Sequence, residues 1–306
     1  MVRRRQWIQQ VAAGGIYIAA GQAGAATNEG FVDAHSHIWT PATDVYPLAG
    51  GFTKAAMQPP SFTADELLAI CRPLGVSRVV LIQMSFYGFD NRYMLNSIQR
   101  DPDTFAGVAV IDHRQPGLGE VMRRLANQGV RGFRLYADRM RAESWTTDAA
   151  MQAMWRIGAD ADLAMCLLAD PDALPAIDCM CAAHPQTPVI IDHFARIGMR
   201  TEIDRKSLEL LLRLARFPQV HVKLSAFYAL GQKRPPYDDL GDMIRELCDS
   251  FGPQRLMWAT DCPYQNAPGH GYAASLRLIR DRLDFLSEED RVAILRDTAT
   301  RRFFPS

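Results

Sequence analysis

From residue 31 onward, short apolar runs alternate with longer stretches in which apolar residues recur every three or four positions. The short runs are too brief for helices and too uniformly apolar for half-exposed strands, so they predict strands buried on both faces of a parallel sheet. Eight of them can be counted, at 31–39, 78–85, 105–112, 130–137, 163–169, 188–194, 220–226 and 256–262. Helical spacing between them is clearest in Leu118, Val121, Met122, Leu125 and Ala126, and again in Leu208, Leu211, Leu212, Leu214 and Ala215. Eight repeats of a strand followed by a helix predict a closed α/β architecture, the (β/α)8 TIM barrel. An open doubly wound sheet would usually carry a Gly-rich turn after its first strand. Here that turn reads His35-Ser36-His37.

The first 26 residues stand apart. Arg3-Arg4-Arg5-Gln6-Trp7-Ile8 leads into a mild apolar run and then into Ala23-Gly24-Ala25-Ala26. Basic, apolar, then small is the order of an export signal, and the arginines followed by Trp7 and Ile8 fit its twin-arginine form. We therefore expect residues 1–26 to be a leader and 27–306 to be one catalytic domain, exported to the periplasm. The apolar run is too short for a stable membrane anchor, which takes about 20 residues. The six cysteines show no disulfide-framework spacing, in keeping with a chain that folds before export.

Charge narrows the partners. Thirty-four basic residues balance 34 acidic ones, so net charge suggests neither a nucleic-acid nor a membrane-surface partner, and any electrostatic selectivity must be local. No signal of oligomeric state is visible.

In such barrels chemistry sits at the C-terminal strand ends. The first run ends in His35 and His37, the second carries Gln83 and Ser85, the third ends Asp112-His113-Arg114, and the fourth carries Arg134 and Tyr136. The sixth ends Asp192-His193, the seventh carries Lys223 and Ser225, and the eighth ends Thr260-Asp261-Cys262. Side chains two apart on a strand share a face, so His35 pairs with His37, Arg134 with Tyr136, and Lys223 with Ser225. A cation on the helix-packed face would be costly, so Lys223 is expected inside. Arg114, Arg139 and Arg196 fall in following loops, and Phe86-Tyr87-Gly88-Phe89 offers aromatic surface. His184 and His221 lie away from the expected mouth, and His113 and His270 are loop histidines.

Taken in order, Val32-Asp33-Ala34-His35-Ser36-His37, Gly132-Phe133-Arg134-Leu135, Ile191-Asp192-His193, Val222-Lys223-Leu224-Ser225 and Thr260-Asp261-Cys262-Pro263 resemble the amidohydrolase superfamily. The likeness is to its amidohydrolase-2 branch, which includes 2-pyrone-4,6-dicarboxylate, sugar-acid and 4-sulfomuconolactone lactonases. The resemblance implies that His35, His37, His193 and Asp261 are the central catalytic residues. It also implies that the strand-five histidine of metal-dependent relatives is missing, because Leu167, Leu168 and Ala169 cannot ligate. No cofactor is then required, with Zn2+ or another divalent metal optional and held by His35, His37 and Asp261.

The expected reaction is hydrolysis of an anionic lactone. Asp261 activates water, the imidazoles polarise the carbonyl, and Arg134, Tyr136, Lys223, Gln83, Ser85 and Arg196 bind substrate. A zinc-dependent hydrolase or non-oxidative decarboxylase of the same superfamily is an alternative. So is a non-catalytic periplasmic ligand-binding barrel.

Overall fold

The computed structural model describes residues 30–200 and 202–305, so the leader lies outside the described residues. Eight parallel strands pair in chain order: β1 (Phe31–Ser36), β2 (Val76–Ile82), β3 (Phe105–Ala109), β4 (Val130–Ala137), β5 (Ala164–Ala169), β6 (Val189–Ile191), β7 (Val220–Leu224) and β8 (Leu256–Trp258). The ring closes at its C-terminal end, where Asp261 N–H donates to His35 O and His37 N–H to Cys262 O, both at 2.8 Å. The predicted TIM barrel is the fold observed.

Helices α1 (Ala64–Cys71), α2 (Arg92–Arg100), α3 (Leu118–Ala126), α4 (Arg139–Trp145), α5 (Ala149–Asp160), α6 (Leu174–Ala183), α7 (Arg205–Arg213), α8 (Gly241–Phe251), α9 (Tyr272–Arg277), α10 (Glu288–Val292) and α11 (Thr298–Phe303) complete the fold. Side chains start several of them. Thr63 and Glu66 form a reciprocal capping box on α1, Ser287 and Asp290 do the same on α10, and Asp148 caps α5. Such caps satisfy amide groups that the first helical turn leaves without partners.

Below the mouth the barrel interior is mostly apolar, with the buried Lys223 and Asp192 as its charged exceptions. Val32, Ala34, Val80, Ile82, Val108, Cys166, Ile190 and Met257 fill it, and Phe303 of α11 packs against them. A second, larger apolar layer joins the outer strand faces to the helices. Trp258 faces that layer, as its parity predicts, and its indole N–H donates to Ser275 of α9 at 3.1 Å.

Several strands are shorter than their apolar runs, because the chain turns sharply where the polar residues begin. Asp261 has φ of 68°, and the four consecutive residues His193, Phe194, Ala195 and Arg196 have φ between 52° and 57°. Left-handed backbone costs a non-glycine residue roughly 1–2 kcal/mol. Here the surrounding packing carries that cost, with Phe194 and Ala195 fully buried. The turn holds His193 in the barrel and Arg196 at its rim.

Candidate active site

His35 is brought inward by a break in alternation. Val32 and Ala34 face the interior, while Asp33 receives the phenol proton of Tyr272 in α9 at 2.7 Å. Strict alternation would carry His35 outward with Asp33. The ladder with β2 slips between Asp33 and Ser36, and His35 turns into the barrel. Asp33 also accepts from His35 N at 3.0 Å, Ser36 Oγ at 2.8 Å, Thr260 N at 3.0 Å and Thr260 Oγ1 at 2.6 Å. This buried carboxylate pins β1 to the segment after β8, and sequence reasoning assigned it no role. Burial raises its pKa against the hydrogen bonds from the Thr260 hydroxyl, Tyr272, the His35 amide and Ser36.

Around Asp261 the imidazoles converge. Its Oδ1 lies 3.1 Å from His37 Nε2, 3.4 Å from His35 Nε2 and 3.8 Å from His193 Nε2. Each ring is also held from its far nitrogen. His37 Nδ1 faces the Ile82 carbonyl at 2.9 Å, His193 Nδ1 faces Ser225 Oγ at 2.7 Å, and His35 Nδ1 faces Asp192 at 3.4 Å. A carbonyl only accepts, so His37 Nδ1 carries a proton, and its Nε2 is the atom turned to the carboxylate.

The donor chemistry fits a divalent ion. His35, His193 and Asp261 offer ligand atoms within 4.8 Å of one another, a two-imidazole, one-carboxylate set of the kind that holds catalytic zinc. The expected set named His37 rather than His193, because adjacency along one strand was visible and the approach of the turn after β6 was not. Fixed cations flank the same ring: Arg134 Nη1 is 3.4 Å from His35 Nε2 and Lys223 Nζ is 3.5 Å from its Nδ1.

Asp192 neutralises those cations. It lies 3.0 Å from Lys223 Nζ and 3.1 Å from Arg134 Nη1. Burial pushes its pKa up, but Lys223, His35 and Arg134 together hold the carboxyl well below the usual range. Burial lowers His35 far below the ordinary histidine value, and the Lys223 charge adds to it. Burial likewise brings His193 down to about 4, against the pull of Asp261 and Asp192. Burial of Asp261 is outweighed by His193, the hydrogen bond from His37, and His35, so its carboxyl is held below the ordinary range.

A cavity of about 270 Å³ opens above these groups. His37, His193 and Asp261 line it, with Gln83, Ser85, Arg134, Tyr136 and Arg196 from the expected binding set. Leu168 of β5 faces it where a strand-five ligand would project. Lys223 does point inward, yet it is fully buried beneath His35 and does not line the cavity, which corrects its expected place in the substrate pocket. His35 is similarly sealed below the floor.

Other expectations change in three dimensions. Arg114 pairs with Asp148 at 2.6 Å and Arg139 with Glu143 at 3.9 Å, and neither reaches the catalytic cavity. Arg196 reaches it while paired with Asp170. Phe86 and Tyr87 are buried, Phe86 edge-on against Trp39, so they form a wall of the fold rather than a platform for a ring. His113 contacts Asp148, His270 meets the Tyr237 phenol, and His184 meets Gln152. The aromatic surface comes instead from Tyr228 and Tyr264, which were missed. Tyr228 lies three residues beyond Ser225, and a search of the loops after each strand for phenols would have found it.

Comparison with known proteins bears on this geometry. The amidohydrolase family profile matches residues 32–304. The 4-sulfomuconolactone hydrolase of Rhizobium radiobacter is 28% identical over 77% of this chain and 76% of its own. The L-fucono-1,5-lactonase of Burkholderia ambifaria is 26% identical over 78% of this chain and 82% of its own. A crystal structure of an amidohydrolase from Burkholderia multivorans with bound zinc superposes with a TM-score of 0.75 at 22% identity, covering 89% of this chain and 98% of that one.

Proposed function

We propose, for a chain that belongs to the amidohydrolase family, that its reaction is hydrolytic opening of a lactone ring. The observation that carries this reading is a single ionised carboxylate ringed by three imidazoles at the floor of a small cavity. Two curated relatives act on lactones by their names, one of them sulfonated.

Water beside Asp261 attacks the ring carbonyl and gives its proton to the carboxylate. Arg134, which lines the cavity, supplies a fixed positive charge to the oxyanion, and His37 and His193 face it from the same lining. When the ring C–O bond breaks, Asp261 returns the proton to the leaving oxygen, and a hydroxy acid results. A carboxylate with a depressed pKa is a weak base, so positioning and a polarised carbonyl do most of the work.

A divalent ion, if bound by His35, His193 and Asp261, would supply Lewis acidity and a more acidic water. We favour catalysis without one, because Arg134 already places positive charge against the His35 nitrogen that would ligate. Tyr136 and Arg196 border the cavity on its open side and suit an anionic substituent. The leader composition supports a periplasmic site of action.

The test is hydrolysis of 4-sulfomuconolactone, L-fucono-1,5-lactone and 2-pyrone-4,6-dicarboxylate by wild type and Asp261→Asn. Loss of roughly 100- to 10,000-fold in kcat is expected for the variant, the usual range for a general base. Equal activity would remove Asp261 as the base, and equal inertness with retained ligand binding would favour the binding-barrel reading.

A further inference from the structure

We propose that Tyr228 is a positioning residue for the Asp261 carboxylate, and this rests on Asp261 being the base. The two carboxylate oxygens have different neighbours. Oδ1 faces the three imidazoles, whereas Oδ2 accepts the Tyr228 phenol proton at 2.6 Å. An aspartate side chain has two free torsions, and one strong hydrogen bond to Oδ2 removes rotation about the second. Oδ1 is thereby kept turned towards the imidazoles and the attacking water.

Tyr228 is itself anchored. Ala226 adopts a left-handed φ of 57°, which turns the chain after β7 back over the barrel mouth. The Tyr228 amide meets Gln265 Oε1 at 3.4 Å, and the fully buried Gln265 donates to Tyr237 OH at 2.8 Å and to the Gly271 carbonyl at 3.3 Å. The Tyr228 ring lies against Tyr264 and His270, with centroids 6.3 and 6.1 Å away. A chain of contacts therefore runs from the loop after β8, through the loop after β7, to the carboxylate. Its phenol oxygen is the last link.

The near-isosteric variant Tyr228→Phe removes that oxygen and keeps the ring. Positioning predicts a kcat lower by roughly 10- to 100-fold with KM changed by less than about threefold, the pattern of a misaimed reacting group. Unchanged kcat overturns the proposal, and so does a raised KM at unchanged kcat, which would make Tyr228 a substrate contact. A crystal structure of the variant gives a second readout: Asp261 should rotate, and an unmoved carboxylate overturns the proposal even if the variant is slow. Asp261→Asn, assayed beside it on the same lactone, separates the two claims. If that variant is inactive and Tyr228→Phe behaves as wild type, only the positioning claim fails. If Asp261→Asn is fully active, the base assignment fails and the positioning role falls with it.

Discussion

Lys223 Nζ lies 3.0 Å from Asp192 Oδ1, and neither side chain is exposed to solvent. Taking both charges out of water is expensive, and the pair is tolerated because Arg134 and His35 also face the carboxylate. This cluster forms a charged floor under the imidazoles. Lys223 and Asp192 orient His35 from below and contribute no surface to the cavity, whereas Arg134 reaches it.

Lys223→Met should therefore act on stability before it acts on binding. Leaving Asp192 with one cation fewer is expected to cost about 3 kcal/mol, the lower end for a broken buried pair. Guanidinium unfolding checks this. An unshifted midpoint together with a tenfold higher KM would show that Lys223 reaches substrate after all.

Arg196 should behave in the opposite way. It lines the cavity at the rim and is partly exposed, so Arg196→Gln should leave stability nearly unchanged. If it pairs with an anionic substituent, KM for 4-sulfomuconolactone should rise about tenfold, while L-fucono-1,5-lactone, which lacks one, should change less than about threefold. Equal effects on both lactones would remove Arg196 from anion recognition.

Stability should fall in mild acid through His221, at the opposite end of the barrel. Burial lowers its pKa from 6.5 to about 4, with Arg302, Arg255 and Arg301 adding to the effect against the Gln219 carbonyl. Above pH 6.5 the imidazole is neutral in both folded and unfolded chains, so it contributes no slope. Between 6.5 and 4 the unfolded chain binds the proton more readily, so stability drops as pH falls, by at most about 3 kcal/mol. Denaturation across this window should show a shallower slope for His221→Gln. An identical slope would assign the acid sensitivity elsewhere.

Chelation addresses the ion. Purified enzyme dialysed to substoichiometric metal should keep its lactonase activity, because Arg134 supplies a fixed positive charge beside the imidazoles. Activity lost on chelation and restored by zinc would move the protein to the metal-dependent alternative, with His35, His193 and Asp261 as ligands.

Much of this protein is determined by sequence alone. Buried parallel strands must be apolar on both faces, so β1 to β8 announce themselves as short runs, and barrel geometry then sends His37, Arg134, His193 and Asp261 to one mouth. What sequence could not decide depends on contacts between residues far apart in the chain. The register slip after Asp33, which turns His35 inward, is set by bonds to Thr260 and Tyr272. The inward Lys223 follows from parity, but its depth below the floor follows from Asp192 on the neighbouring strand. Tyr228 carries no motif, and only the left-handed turn at Ala226 brings its phenol to Asp261. Periodicity reports which face a side chain takes, whereas the partner it meets there is fixed by the packing of the closed barrel.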